Sequence, residues 1–216
     1  MCSLVSAIFA DVPRPGGDYD RAEPLHRPRH DLALGPALCA SFESANSSYL
    51  RRPNRSWRVD ETYVKVAGRW AYLYRAADSA GETIEFMLSP NRDLTAAKLF
   101  LRFALSGAGP RPRVINVDGH PAYASAVAEL KHTGELARRC RCRTAPYLNN
   151  IIEQDHRFIK KRITASLEFR SVEGACRTIK GYEAMHAIRK GQIRWVARDD
   201  AVAQCQFVHS IFGVAA

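Results

Sequence analysis

The sequence predicts an α/β fold in which a mixed β-sheet is flanked by helices. Residues 57–88 alternate apolar and polar side chains in three runs separated by turn residues, a pattern typical of an antiparallel meander. Two further short strand-like runs follow, and segments with helical periodicity separate them. Three strands followed by alternating helices and strands is the order expected of a mixed α/β sheet.

The meander is predicted from turn residues as much as from alternation. The first strand alternates from Trp57 and stops at Ala67-Gly68, a dipeptide that indicates a hairpin turn, although less strongly than Asn-Gly would. The second strand starts at Trp70, and the turn residues 78–82 separate it from a third strand over Thr83–Leu88.

The rest of the chain alternates helical and strand patterns. A helix over Leu94–Leu105 has Asp93 as its N-cap, and Val114–Val117 is a short apolar run typical of a buried strand. The remaining predicted elements are a helix over Pro121–Leu130, a short basic strand over Arg138–Arg143, a long helix from Asn149 or Asn150 to about Ile163, a helix over Val172–Lys190, and short apolar pieces over 192–216.

Composition limits the class of protein. The chain has 216 residues, of which 46% are hydrophobic and 25% charged, so it is not disordered throughout. It contains no apolar run near the roughly 18 residues that span a bilayer. Six sparse cysteines predict a reducing, cytoplasmic compartment: Cys2, Cys39, Cys140, Cys142, Cys176 and Cys205.

Charge separates the first fifty residues from the rest. The net charge is +10, but residues 1–50 hold four basic and six acidic residues, which leaves +12 on residues 51–216. The larger part is therefore expected to bind a polyanion, with nucleic acid ahead of a membrane surface. Residues 1–50 also hold five of the eleven prolines and no lysine, and we expect them to be irregular.

Three carboxylates occupy positions from which they can converge. Asp60 lies within the first strand, Asp118 ends the buried strand, and Glu153 lies one turn into the long helix. Three ionised carboxylates at one point require a cation, and their hard oxygen atoms favour Mg²⁺ or Mn²⁺. Two such ions suit phosphodiester chemistry, because they can activate an attacking oxygen and stabilise a leaving one.

Each carboxylate also has a structural interpretation. Asp118-Gly119 is typical of a turn, and Glu153 can pair with Arg157 one helical turn away. Asp60 is harder to explain structurally, because an unpaired charge within an apolar strand is costly. Glu61 points to the opposite face of that strand and is the poorer candidate.

Basic residues surround the three candidates. Lys160 follows Glu153 by seven residues, so both project from one helix face, where Lys160 can contact a phosphate backbone. A solvated basic helix end is the alternative interpretation of Lys160 and Lys161. The candidate DNA contacts are Arg138, Arg139, Arg141, Arg143, Arg157, Lys160 and Lys161.

A zinc site is a competing prediction. Cys140 and Cys142 could ligate zinc together with His132 or His156. One residue between the cysteines is fewer than zinc sites usually have, and no second cysteine pair follows. The alternating arginines around these cysteines suit a DNA-facing strand better.

Four stretches resemble the insertion-sequence-6 family of bacterial transposases. They begin at Trp57 (WRVDETYVKV), Arg69 (RWAYLYRA), Asn116 (NVDGHPAY) and Tyr147 (YLNNIIEQDHRFIKKR), and the resemblance continues through Gly181 to Gln192. The family has an Asp, Asp, Glu triad with 34 residues between its second and third members. Asp118 and Glu153 have that separation, and Lys160 matches the family's lysine.

The resemblance implies a ribonuclease-H-like core that cleaves DNA hydrolytically at the ends of an insertion sequence and joins the freed 3′-hydroxyl to target DNA. By position, Asp60 would bridge two metal ions, and Asp118 and Glu153 would each hold one. The implied organisation is a DDE catalytic core over 51–165 and a helical extension over 166–216. The implied partners are element-end and target DNA and other copies of the chain, at the bacterial nucleoid in the cytoplasm.

Members of the family begin with a helix-turn-helix, and residues 1–50 do not resemble one. Codons allowed for Arg14–Ala40, shifted by one base, can spell a stretch that closely resembles the family's helix-turn-helix. We therefore expect residues 1–50 to be an out-of-frame remnant of the end-recognition region, which the nucleotide sequence of the gene would test. The chain would then be a defective transposase, or alternatively a catalytically silent fragment that binds DNA or forms heterodimers and interferes with an intact enzyme.

Overall fold

The fold is built on five strands that form one mixed sheet. The computed structural model describes residues 49–107, 109–145, 150–165 and 169–212. Its elements are β1 (Ser56–Val66), β2 (Arg69–Asp78), β3 (Thr83–Ser89), α1 (Leu94–Ser106), β4 (Val114–Val117), α2 (Pro121–His132), β5 (Arg141–Thr144), α3 (Asn150–Ala165), α4 (Val172–Arg189) and α5 (Ala201–Phe212). The expectation of an irregular segment over 1–50 falls almost wholly on residues outside these ranges.

The strand order is β3-β2-β1-β4-β5. Strand β2 is antiparallel to both β1 and β3, whereas β4 pairs parallel with β1 and β5 pairs parallel with β4. This is the mixed sheet that the sequence predicts. The parallel pairing of β1 with β4 directs both strands towards the same end of the sheet, where Asp60 and Asp118 lie.

The β1–β2 hairpin has the predicted turn. Ala67 and Gly68 both have positive φ, 49° and 75°, as the first and second positions of a type I′ turn require. Glycine adopts this conformation freely, whereas alanine is strained in it. The predicted hairpin at Ala67-Gly68 is therefore confirmed.

Helices cover the two faces of the sheet. The face that carries Tyr74 packs against α1 and α2, where the Tyr74 ring lies 5.6 Å from that of Phe100 and 6.4 Å from that of Tyr123. The other face packs against α3 and α4, and Ile159 and Ile179 of these helices are fully buried. Neighbouring residues of a strand point to opposite faces. Successive side chains of β1 therefore face α1 and α2 on one side of the sheet and α3 and α4 on the other.

The helices agree with the sequence except at the C-terminus. Helix α1 begins after Asp93, whose carboxylate accepts a hydrogen bond from the Ala96 N–H over 2.8 Å, as predicted. Beyond Gln192, where local periodicity indicates short apolar pieces within the expected helical extension, the chain forms α5. Its Phe207 packs against a small cluster centred on Ile193, a tertiary contact that local periodicity does not show.

The basic strand is shorter than predicted. Arg138 and Arg139 lie in a turn in which the Cys140 N–H donates to the Ala137 carbonyl over 2.9 Å. Strand β5 starts only at Arg141, where the backbone first pairs with β4. The side chains of Arg141 and Arg143 are exposed at this edge of the sheet.

A buried ion pair ties α4 to the sheet. The Arg75 Nε of β2 lies 2.7 Å from Glu183 Oε1, and the side chains are only 1% and 6% exposed. A second hydrogen bond of 3.0 Å joins Arg75 Nη2 to Glu183 Oε2, so the pair is bidentate. Removing one member of such a pair leaves the other charge buried without compensation.

We therefore expect Glu183→Gln to lower the free energy of unfolding by about 3 kcal/mol, measured by urea denaturation. The matched control on the same helix is Glu173→Gln, because Glu173 pairs with Arg177 while both side chains are 47% exposed. That exposed pair is worth less than about 1 kcal/mol. Equal losses in the two variants would contradict this account of the buried pair.

Candidate active site

Three carboxylates meet where β4 ends beside the middle of β1. One oxygen atom each from Asp60, Glu61 and Asp118 lies within 4.8 Å of the other two. Asp60 and Glu61 are neighbours in β1, and Asp118 follows the last residue of β4. The parallel pairing of these strands therefore places two of the three sequence candidates, Asp60 and Asp118, side by side.

Asp60 is largely buried on the face that α3 covers. One of its carboxylate oxygens accepts a hydrogen bond of 2.9 Å from the Glu61 N–H, and the other lies 3.8 Å from His156 Nε2. Burial raises the pKa of Asp60 to about 7. This pKa also reflects the hydrogen bond from the Glu61 N–H, which lowers it, and the negative charges of Glu61, Asp118 and Glu153, which contribute to the rise.

Asp118 forms the turn that its sequence suggests and also belongs to the acidic group. Its Oδ1 accepts a hydrogen bond of 2.9 Å from the His120 N–H, and its Oδ2 lies 3.1 Å from Arg92 Nη2. Gly119 has a φ of 109°, and an added Cβ there would lie 3.0 Å from the Thr144 side chain. A glycine is needed at this turn for both reasons.

Glu153 stands apart from the close group. It lies in the first turn of α3 and is exposed, and it is not one of the three residues whose oxygens lie within 4.8 Å. Its charge is nevertheless close enough to raise the pKa of Asp60. The structure thus brings Asp60 and Asp118 together and places Glu153 at a longer distance from them.

The predicted DNA contacts are all exposed. Arg157 and Lys160 follow Glu153 at four and seven residues on α3, and Lys161 is exposed beside them. Arg138 and Arg139 lie in the turn before β5, and Arg141 and Arg143 lie on it. Their role in binding DNA stays a prediction.

Sequence reasoning missed the residues that support Asp118. The Glu61 side chain is only 3% exposed, and it accepts hydrogen bonds from both the Arg92 guanidinium and the Tyr123 hydroxyl. Burial and the Glu61 charge raise the pKa of Tyr123 well above its ordinary value, so its hydroxyl keeps the proton that it donates. Arg92 therefore joins buried Glu61 to Asp118.

His156 was also missed as a neighbour of the acidic group. It lies one turn beyond Glu153 on α3 and is 5% exposed, in line with buried Ile152 and Ile159. Spacings of four and three residues place these three side chains on one helix face, and this was the available signal. The sequence suggests His156 only as a zinc ligand.

The competing zinc site is not supported. Within the described ranges, the group able to hold a metal ion consists of carboxylates alone. Cys140 is buried in the main hydrophobic core, and burial raises the pKa of both Cys140 and Cys142. Neutral thiols are poor zinc ligands, since the metal binds the thiolate.

Comparison with known families agrees with this geometry. The profile of the family described as "DDE domain" matches residues 54–192, which include all three sequence candidates. The chain belongs to this DDE family. The expected resemblance to insertion-sequence-6 transposases is thereby confirmed.

Relatives of this DDE chain include named transposases. It is 40% identical over 134 residues to the "Transposase for insertion sequence-like element IS431mec" of Staphylococcus aureus strain Mu50, and equally to the "Transposase for insertion sequence element IS257 in transposon Tn4003" of the same species. Each alignment covers 62% of this chain and 58% of the relative, so the chain spans less than two thirds of their length. It is also 36% identical over 88 residues to "Uncharacterized protein pYV0051" of Yersinia pseudotuberculosis, which covers 40% of this chain and 82% of that protein.

Solved structures share the general architecture. The simian T-cell lymphotropic virus intasome in complex with PP2A regulatory subunit B56 gamma aligns with a TM-score of 0.49 and 21% identity over 71% of this chain and 58% of that one. The HTLV-2 integrase catalytic core domain in complex with magnesium aligns with a TM-score of 0.48 and 19% identity over 67% and 95%. The strand order and directions of the DDE core, rather than these alignments, are those of the expected ribonuclease-H-like fold.

Among the described residues of the DDE chain, no helix is both long enough and apolar enough to cross a membrane.

The raised pKa of Asp60 predicts a pH-dependent stability in the absence of divalent ions. Between about pH 4 and pH 7 the folded chain retains a proton that the unfolded chain has released. The free energy of unfolding should therefore fall as the pH rises through this window, by about 2–4 kcal/mol in total. The measurement is urea denaturation in EDTA across this range.

Asp60→Asn should remove this decline, because the amide stays neutral throughout the window. Asp199→Asn is the control, since Asp199 is an exposed residue away from the acidic group. An unchanged decline in the Asp60 variant would mean that another group causes it.

Proposed function

We propose that this chain carries the catalytic core of a DNA transposase. The proposed reaction is metal-dependent hydrolysis of a DNA strand, followed by transfer of the freed 3′-hydroxyl to target DNA. In each step an oxygen attacks phosphorus and a 3′ oxygen leaves with the electron pair of the broken bond. The observation that carries the proposal is the proximity of Asp60, in the middle of β1, to Asp118, at the end of β4, in a DDE-family sheet.

The residues at this point fit a divalent cation. Their donors are carboxylate oxygens, which Mg²⁺ and Mn²⁺ prefer, and three of them lie within 4.8 Å of one another. We propose two such ions, with Asp60 shared between them and Asp118 and Glu153 each holding one. When bound, the ions supply activation of the attacking oxygen and stabilisation of the leaving oxygen.

Glu61 is proposed as a positioning residue rather than a metal ligand. Both of its oxygens already accept hydrogen bonds, from Arg92 and from Tyr123. Arg92 in turn holds Oδ2 of Asp118, while the His120 N–H holds Oδ1. This chain of contacts fixes the direction of the Asp118 carboxylate before any ligand arrives.

Basic residues beside this site are proposed to bind the phosphate backbone. Exposed Arg157, Lys160 and Lys161 extend along α3 from Glu153, and four exposed arginines lie on and before β5. The net charge of +12 on residues 51–216 favours binding without sequence preference. The proposed partners are element-end and target DNA and further copies of the chain, in the bacterial cytoplasm at the nucleoid.

The end-recognition function is proposed to be lost. The family match starts at residue 54, and codons allowed for Arg14–Ala40, shifted by one base, can spell a stretch that resembles the family's helix-turn-helix. If that recognition helix is lost, the chain has little means of reading bases directly in the major groove. The second candidate function follows from the same observation, a fragment that binds DNA or pairs with an intact transposase without catalysis.

We expect the full chain to nick supercoiled plasmid slowly in Mn²⁺ or Mg²⁺ and to join a labelled duplex with a free 3′-hydroxyl to that plasmid. Asp60→Asn, Asp118→Asn and Glu153→Gln should each lower both rates at least about a hundredfold, because each removes a charge that holds the cations. The readouts are nicked circles and covalently transferred label on denaturing gels. Isothermal titration with Mn²⁺ reports the cation sites independently of activity.

Glu129→Gln is the control, because Glu129 is a carboxylate on α2 that pairs with Lys98 away from the acidic group. Nicking that survives all three substitutions would contradict the proposed site. A chain that binds DNA but neither nicks nor joins it would support the second function.

The proposed DNA contacts on α3 should make the affinity for DNA depend on the salt concentration. Lys160→Ala with Lys161→Ala should flatten the slope of log affinity against log salt by up to about one unit for each phosphate that the chain no longer neutralises. Fluorescence anisotropy with random duplexes measures this, starting from dissociation constants on the order of 10⁻⁴–10⁻⁶ M near physiological salt. Lys131→Ala on α2 is the control, and an equal change there would point to general charge rather than to this helix.

A further inference from the structure

The open face of the β1–β2 hairpin carries a row of aromatic rings. Tyr63 of β1 lies opposite Tyr72 of β2, and Lys65 lies opposite Trp70. Residues opposite each other in an antiparallel pair share one face, so all four side chains project from the same side. We call Tyr63, Trp70 and Tyr72 the aromatic row.

The aromatic row is exposed although the same strands are buried on their other side. Tyr63 is 53% exposed and Trp70 is 64% exposed. The alternate residues Val64 and Ala71, which point to the opposite face, are each only 1% exposed. The hairpin is therefore packed on one side and open on the other.

The rings form a connected surface. The Tyr63 ring lies 5.1 Å from that of Tyr72 and 6.4 Å from that of Trp70, the latter nearly perpendicular at 85°. Rings that contact each other in this way lose side-chain freedom before any ligand arrives. A ligand with flat faces then loses less conformational entropy when it binds.

The aromatic row continues into the acidic group. Glu61, Tyr63 and Lys65 alternate along one face of β1, and Glu61 is the residue that holds Arg92. Tyr63 also lies close enough to influence the pKa of Arg92, which burial lowers but Glu61 and Asp118 raise overall. Helices α1 and α2 cover this face only as far as Tyr74.

The charge beside the row indicates the kind of ligand. Lys65 lies opposite Trp70 on the same face as the row and is exposed, so it can contact a phosphate group. Tyrosine and tryptophan rings combine flat faces with polar edges. Rings flanked by cations are typical of surfaces that bind unpaired nucleic-acid bases.

We propose that the aromatic row is a stacking platform for unpaired bases of the DNA strand whose phosphate enters the acidic site. This inference rests on the proposed function, because it takes DNA as the ligand of that site. Tyr63 and Trp70 stack on the bases, and Lys65 contacts an adjoining phosphate. The platform would hold a strand end open along the Glu61 face of β1.

The test compares two tailed duplexes in EDTA, so that no cleavage occurs. One carries a short single-stranded 3′ tail of thymidines, and the other has the same tail built of abasic residues with identical phosphates. Fluorescence anisotropy with the full chain should give about tenfold tighter binding to the thymidine tail, since stacking on one base is worth roughly 1–3 kcal/mol. Trp70→Ala and Tyr63→Ala should each remove most of that ratio, and Trp70→Phe should retain part of it.

Trp195→Ala is the matched control, because Trp195 is 72% exposed and contacts the Tyr49 ring edge-on, away from the hairpin. It should keep the full ratio, and thermal unfolding should show that every variant is folded. Equal binding of the two tails by the wild-type chain would overturn the platform while leaving the proposed function intact, since duplex binding would persist. Trp70→Ala could instead change the sedimentation of the chain while leaving the preference for the thymidine tail over the abasic tail unchanged. That result would overturn the stacking platform and would indicate an interface between copies of this chain.

Discussion

Repulsion between carboxylates at the common end of β1 and β4 shapes the surroundings of the candidate site. Asp60 and Asp118 are held close together by strand pairing, so their charges must be balanced from outside the sheet. Arg92 provides one balancing charge, and its guanidinium is itself fixed by buried Glu61. Burial, together with the neighbouring negative charges, raises the pKa of Asp60. In a protein of this family a divalent cation is the natural counter-charge.

Side chains alternate between the two faces of β1, so two adjacent acidic residues have different surroundings. Asp60 points towards α3 and lies near His156, whereas Glu61 points towards α1 and α2 and accepts from Tyr123. Asp60 is thus available to a ligand, whereas the Glu61 carboxylate is already engaged in hydrogen bonds that position its neighbours. The same alternation continues along the hairpin, where one side of β1 enters the core and the other carries exposed rings.

Local patterns in the sequence determine much of this fold. Alternation locates β1 to β3, the Ala67-Gly68 dipeptide predicts the hairpin turn, and Asp93 is identified as a cap. Strand ends also indicate where Asp60 and Asp118 meet. What could not be predicted depends on contacts between distant segments.

Arg92, Tyr123 and His156 come from three separate elements and face the acidic group only after the layers pack. Helix α5 likewise depends on packing against the small cluster around Ile193.

The Arg75–Glu183 pair bears on how such a gene can be cut and rejoined. A breakpoint between β2 and α4 would leave a guanidinium in the interior of one product and its carboxylate in another. An exchange at such a point would keep this interior charge balanced only where the incoming segment supplied the missing partner.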